Sequence, residues 1–195
     1  MPHLLHCACG LEVIQDQRKK VVPLAEGRVL EVGMGSGLNI PFYDREKVEI
    51  VWGLEPSAGM RKKAQPRLCT TPIDIRWLDL PGESIPLHNG SVDTVLLTYT
   101  LCTIPDWRTA LQHMRRVLKP DGTLIFCEHG LSPDAGVRRW QKRLTPLWKK
   151  LAGGCHLDRP IPQYIEAGGF TIHTMNAEYI QGPKFAAYQY WGTAK

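Results

Sequence analysis

The chain has 195 residues, enough for one domain with a full hydrophobic core. Its composition, 43% hydrophobic and 22% charged, excludes a disordered or low-complexity protein. The net charge of +5 is mild and gathered largely in one segment, which argues against a nucleic-acid-binding protein. No run of apolar residues is long enough to predict a transmembrane helix, and the first residues lack the charged and apolar regions of a signal peptide. The six cysteines are scattered, so they read as reduced thiols of a cytoplasmic protein and not as a disulfide framework.

In chain order, residues 1–27 form an N-terminal arm or lid. His3, His6, Cys7 and Cys9 lie close together, but no second Cys/His pair follows at zinc-finger spacing, so no metal is expected there. Residues 11–24 carry a helical pattern. From Arg28 strands and helices alternate. Strand 28–32 ends in a glycine loop, and a helix is expected over 38–43. Strand 49–54 precedes helix 58–65, capped by Ser57. Strands 73–78 and 92–98 follow. Helix 106–117 places Ala110, Leu111, Met114 and Val117 on one face and stops at Lys119-Pro120-Asp121-Gly122, before strand 123–128. A helical segment covers 136–151, where Pro146 should kink or split it. Strands 170–179 and 185–194, with no helix between them, form an antiparallel hairpin. The order predicts an α/β fold over 28–195: a Rossmann-like, seven-stranded, mostly parallel sheet with helices on both faces and that hairpin at its end.

The chemistry starts at Glu31-Val32-Gly33-Met34-Gly35-Ser36-Gly37. Glycines at alternate positions after a buried strand make a tight turn that lets backbone approach a ligand. A dinucleotide fingerprint needs glycine at position 38; Leu38 stands there, which argues against a nicotinamide oxidoreductase. Glu55 ends the next strand about 20 residues on, where a carboxylate accepts from both hydroxyls of a ribose.

Four stretches carry a resemblance: Glu31–Gly37, Leu54-Glu55-Pro56-Ser57-Ala58-Gly59-Met60, Asn89–Val95 and Arg115–Gly122. Together they resemble the class I S-adenosylmethionine-dependent methyltransferases, over about residues 25–128, and within them the small-molecule branch that includes quinone and menaquinone methyltransferases. Leu101-Cys102-Thr103, Glu128-His129 and Gly154-Cys155-His156-Leu157-Asp158-Arg159 are similar to the methyltransferase-like protein 7 family of alkyl thiol methyltransferases.

The resemblance implies S-adenosylmethionine as cofactor. Gly33, Gly35 and Gly37 would wrap its methionine end. Glu31 would brace the loop or meet the amino group. Glu55, with Pro56, would hold the ribose. Met60 would pack on the adenine or fill the core. Gly82 and Glu83 would meet the adenine edge through backbone, with Asp79 as second choice, and Thr98 would lie near the reactive methyl. On the acceptor side, Cys102 is a small rim residue. His129 is a candidate base or a structurally satisfied histidine, with His156 next in line. Arg159 would grip a carboxylate or phosphate. Segment 137–151 mixes six cations with Trp140, Leu144, Leu147, Trp148 and Leu151. It reads as a lid with its apolar side over the site, or as a weak contact with an anionic membrane. The expected function is methyl transfer to a small, apolar acceptor, a thiol first and a quinone or lipid second; a non-catalytic cofactor-binding module is the third reading.

Overall fold

The computed structural model describes residues 10–195. His3, His6, Cys7 and Cys9 lie outside the described residues. Helix α1 (Glu12–Val21) leads through a 3-10 turn into β1 (Gly27–Val32). There follow β2 (Val48–Leu54), α2 (Ala58–Leu68), β3 (Asp74–Leu78), β4 (Val92–Thr98), α3 (Trp107–Val117) and β5 (Leu118–His129). The last part holds α4 (Ala135–Leu151), α5 (Ile161–Ala167), β6 (Ile172–Tyr179), the short α6 (Lys184–Ala187) and β7 (Tyr188–Ala194).

The seven strands form one sheet in the order β3-β2-β1-β4-β5-β7-β6. Strands β1 to β5 pair in parallel, and β7 runs antiparallel to both its neighbours. The reversal of strand order between β1 and β4 opens a crevice at the carboxyl ends of these strands, where ligands of open α/β sheets bind. One apolar cluster covers the face under α3 and α5, with Leu30, Val95, Leu97, Met114 and Phe126 fully buried. The other, with Val29, Val51, Leu96 and Ile125, is closed by Val21, Val22 and Ala25 from the segment before β1. The expected stripe of α3 is buried as read, and Asp106 caps that helix by accepting from Thr109 N at 3.1 Å.

Several expectations are corrected. Residues 38–43 form no α-helix; a 3-10 turn spans Ile40–Phe42, because Pro41 lacks the amide a longer helix needs. Strand β5 begins at Leu118, and the Lys119–Gly122 stretch is carried in a register shift against Val92 and Thr94. Pro146 does not split α4, since it lies on the exposed side, where water replaces the lost amide. A short helix does separate β6 from β7. Helix α4 also turns the other way from the expected lid: Gln141 and Thr145 face inward, while Trp140, Leu147 and Leu151 are each more than half exposed.

Candidate active site

The cofactor end is built where β1 and β2 stop. Gly33 N and Met34 N both donate to Leu54 O, at 2.8 and 3.2 Å, which pins the loop to the tip of β2. Gly33, Gly35 and Gly37 all take positive φ, at 70°, 59° and 74°, a region that favours glycine. A Cβ on Gly33 would collide with Thr100, and one on Gly37 would sit 2.7 Å from Ile40 Cδ1. At Gly35 the nearest atom would be Met60 Cε at 3.4 Å, so the loop is open there and Met60 borders the opening. Glu55 accepts from Gly35 N at 3.0 Å and from Ser57 N at 2.8 Å, one bond to each carboxylate oxygen. Burial raises its carboxyl above the usual range. Each oxygen keeps a lone pair for a ribose hydroxyl, so loop and acid fit the cofactor's ribose and methionine ends. Arg61 braces the corner, donating to Glu55 O at 2.6 Å and to Asp79 at 3.1 Å. Pro56 is exposed beside them.

Glu31 and Thr98 belong to a buried hydrogen-bond network behind the loop. Asn39 Nδ2 donates to one Glu31 oxygen at 2.8 Å, and Tyr43 OH to the other at 2.6 Å. The Thr98 hydroxyl accepts from Asn39 Nδ2 at 2.9 Å and from Arg18 at 3.0 Å; Arg18 also donates to Asn39 Oδ1 at 2.5 Å. All five side chains are buried. Burial lifts the Glu31 carboxyl to about 7, against the pull of its donors and of Arg18. This network braces the floor behind the glycine loop, and α1 contributes Arg18 to it. Of the residues expected at the adenine edge, Gly82 lies close to Ile104, while the Glu83 carboxylate accepts from Asp106 N at 3.2 Å, so its side chain is tied to the start of α3.

The acceptor end lies at the tips of β4 and β5. Tyr99 has φ 53°, the one positive value at a non-glycine among the described residues. It turns the chain so that Thr100 N and Leu101 N both donate to one oxygen of Glu128, at 2.6 and 2.9 Å. The other Glu128 oxygen is buried without a partner, and burial raises this carboxyl to about 8. Beside it Cys102, His129 and Cys155 meet, their ligating atoms within 4.8 Å of one another. His129 Nε2 lies 3.2 Å from Cys155 Sγ. A hydrogen bond from Cys155, with the His129 ring nearby, holds the Cys102 thiol well below its ordinary value and pushes Cys155 up. Arg159 donates through one nitrogen to Leu101 O and to Ile104 O, the latter at 2.7 Å, is 5% exposed and also borders the adjacent cavity. It clamps the loop that carries Cys102. His156 joins the same corner, its backbone N donating to Cys102 O at 2.9 Å. A cavity of about 470 Å³ opens alongside, bordered by Thr103, Trp107, Lys149, Gly154, His156 and Tyr164.

Sequence reasoning placed Cys102 and His129 on one rim and gave Cys155 no role. It also missed Arg18, Asn39, Tyr43 and Tyr99, none of which belongs to a spaced motif.

The glycine loop, the acid at the tip of β2 and the strand order define an α/β protein built around a nucleoside cofactor without a pyrophosphate. Residues 30–126 match the methyltransferase domain family. A thiol S-methyltransferase, TMT1B, of Rattus norvegicus is 35% identical over 75% of this chain and 61% of its own length. TMT1A of Homo sapiens, another thiol S-methyltransferase, is 28% identical over 88% of this chain and 70% of its own. The chain thus spans about three fifths of the length of the TMT1B relative. Among solved structures, a SAM-dependent methyltransferase of Leishmania major covers 100% of this chain and 78% of its own at 14% identity, with a TM-score of 0.72. One from Thermotoga maritima, described as a possible histamine N-methyltransferase, covers 98% of this chain and 91% of its own at 20% identity, with a TM-score of 0.67. Residues 30–126 carry a methyltransferase domain, and S-adenosylmethionine is the cofactor this domain and its site imply.

Proposed function

We propose that the chain methylates the sulfur of a small, apolar thiol. The observation that carries this is the pair of thiols and the imidazole at the tips of β4 and β5, one loop away from the glycine turn. The thiol S-methyltransferase relatives point the same way. The cofactor supplies a methyl group already activated on a sulfonium sulfur. What remains for the protein is to align the acceptor, exclude water and ease the loss of its proton. A free thiol is only a few per cent ionised at neutral pH, so the last task is real. On this reading Cys102 and His129 contact the acceptor sulfur, Glu128 fixes the turn that presents Cys102, and Arg159 is a positioning residue. Glu55, Met60 and the three loop glycines hold the cofactor, with Glu31 and Thr98 supporting from behind and the Gly82-Glu83 backbone at the adenine edge. The arm before β1 completes the floor through Arg18.

The test is methyl transfer from labelled S-adenosylmethionine to alkyl thiols, phenols, quinols and an ethanolamine lipid. Transfer to alkyl thiols alone is expected. Transfer confined to quinols or lipid would overturn the thiol reading, and cofactor binding without transfer to any of them would make the chain a binding module.

We infer further that the protein is cytoplasmic and touches anionic membranes through α4. The exposed Trp140, Leu147 and Leu151 share that helix with exposed Arg139, Lys142, Arg143, Lys149 and Lys150, the mixture that favours an interfacial position. Sedimentation with phosphatidylserine vesicles but not with phosphatidylcholine vesicles is the expected result. Equal recovery with both would remove the electrostatic part.

A further inference from the structure

We propose that Cys102, His129 and Cys155 form a binding site for one zinc ion whose fourth coordination position receives the acceptor thiol. The metal site stands on its own geometry; only the seating of the acceptor rests on the thiol reading above.

The three residues come from three separate parts of the chain: the turn after β4, the last residue of β5 and the loop after α4. No sequence spacing announces them, yet the fold brings their ligating atoms within 4.8 Å of one another. A tetrahedral zinc ion, with bonds of roughly 2.3 Å to sulfur and 2.0 Å to nitrogen, holds such ligands about 3.5–3.8 Å apart. The observed spacings, from 3.2 Å between His129 Nε2 and Cys155 Sγ to an outer limit of 4.8 Å, bracket this range, so the ligands shift by up to about 1 Å to close on an ion. Two sulfurs and one imidazole are a soft donor set that suits zinc. Both cysteines are buried, Cys102 at 2% and Cys155 at 8% exposure. Without an ion the cluster is held by weak sulfur hydrogen bonds, Cys102 Sγ lying 3.4 Å from Thr103 Oγ1 and 3.8 Å from Tyr99 O. His129 Nε2 meets a sulfur, a weak hydrogen-bond partner. Metal ligation turns these weak contacts into strong bonds.

The cluster is held in place from outside. The His156 N to Cys102 O bond ties the two cysteine loops together, and Arg159 fixes the carbonyls on either side of Cys102. No fourth Cys, His, Asp or Glu joins the group among the described residues. Three protein ligands with one open position are the pattern of a reactive zinc, not a structural one. The cavity beside it is bordered by Thr103, Gly154 and His156, the immediate neighbours of the two cysteines. An entering thiol displaces the water in the open position. Its S–H bond breaks, a zinc–sulfur bond forms and the proton leaves to solvent. The bound sulfur stays a thiolate and keeps a lone pair for the incoming methyl. In this arrangement His129 is a ligand, and the metal does the work assigned to a base.

The full chain, purified without chelator and then dialysed against trace zinc, should hold one zinc per chain by elemental mass spectrometry. Cys102→Ser, Cys155→Ser and His129→Ala should each lose it. Cys127→Ser and a Cys7→Ser/Cys9→Ser variant should keep it, and titration with S-adenosylhomocysteine checks that every variant is folded. Cobalt-loaded wild-type protein should show a near-ultraviolet sulfur-to-cobalt band and tetrahedral bands in the red, a signature that needs no variant. An alkyl thiol added without cofactor should shift the red bands. Failure to bind metal, retention of full zinc by the Cys102 and Cys155 variants, or its loss from the Cys7/Cys9 variant would each overturn the site. A Cys102–Cys155 disulfide that persists with reductant and zinc present would do the same. Thiol methylation by a metal-free chain would overturn the acceptor's seat on the metal and leave both the metal site and the proposed function standing. A cobalt spectrum that no thiol moves would overturn the acceptor's seat alone.

Discussion

Glu55 and Glu31 are both carboxylates near the ends of adjacent strands, and their surroundings give them opposite tasks. Glu55 lies at the mouth of the glycine loop with lone pairs to spare. Glu55→Ala should weaken S-adenosylhomocysteine binding by about 1.5–3 kcal/mol, a tenfold to hundredfold loss, read by isothermal titration. An unchanged affinity would take Glu55 out of the cofactor site. Glu31 is sealed between Asn39 and Tyr43, and burial raises its carboxyl from 4.5 to about 7. The folded protein therefore binds this proton more tightly than the unfolded chain does. Its contribution to stability is fully present below pH 4.5, declines as pH rises towards 7 and is level above that. The fall amounts to about 3 kcal/mol for a shift of this size. Urea unfolding of wild type against Glu31→Gln between pH 5 and 8 should show a shallower slope in the variant, the difference being the Glu31 share. Glu55 was legible because strand, loop and spacing mark it. Glu31 was legible as a loop residue with bracing as one of its two readings, but its partners Asn39, Tyr43 and Arg18 were not, because they follow no pattern that a sequence displays.

At the scale of elements, the sequence reads well wherever one face is apolar. Strand β4 and helix α3 match their patterns, since burial of the stripe is what holds them. Helix α4 fails that logic because its buried face is polar. Gln141 is fully buried and joins four segments: its amide donates to Gly130 O and Leu157 O at 2.9 Å and to Phe185 O at 3.1 Å, while its carbonyl accepts from Ser132 N at 3.0 Å. Hydropathy counts such a residue as surface, and only the assembled loops reveal its partners. Gln141→Leu keeps the volume but orphans four backbone groups. It should cost about 3 kcal/mol or more in urea unfolding. A neutral result would mean that water replaces the glutamine there. The cluster of Cys102, His129 and Cys155 was illegible for the same reason, since its members share no element.

At the scale of the whole molecule, the class of fold was legible from the alternation of elements, and the hairpin from the missing crossover. The placement of β7 between β5 and β6 was not, because either strand of a hairpin can pair with the sheet. The placement shows itself in one glycine. A Cβ on Gly192 would run into Thr174 O on β6, a backbone atom that cannot swing aside. Gly192→Val should destabilise the protein by about 3 kcal/mol in thermal or urea unfolding and loosen amide exchange in β6 before the rest of the sheet. Uniform exchange across all strands would show that the hairpin does not open separately.

The inserted position of β7 also bears on how the molecule comes into being. Strand β6 reaches the sheet only through β7, yet it precedes β7 in the chain. A chain that lacks β7 carries β6 with no strand to join and leaves β5 an open edge. Such a chain thus carries two unpaired strands at once, both able to capture a neighbour's strand. Chains truncated before residue 188 should associate with one another, while chains that include β7 should not, and crosslinking would tell the two apart.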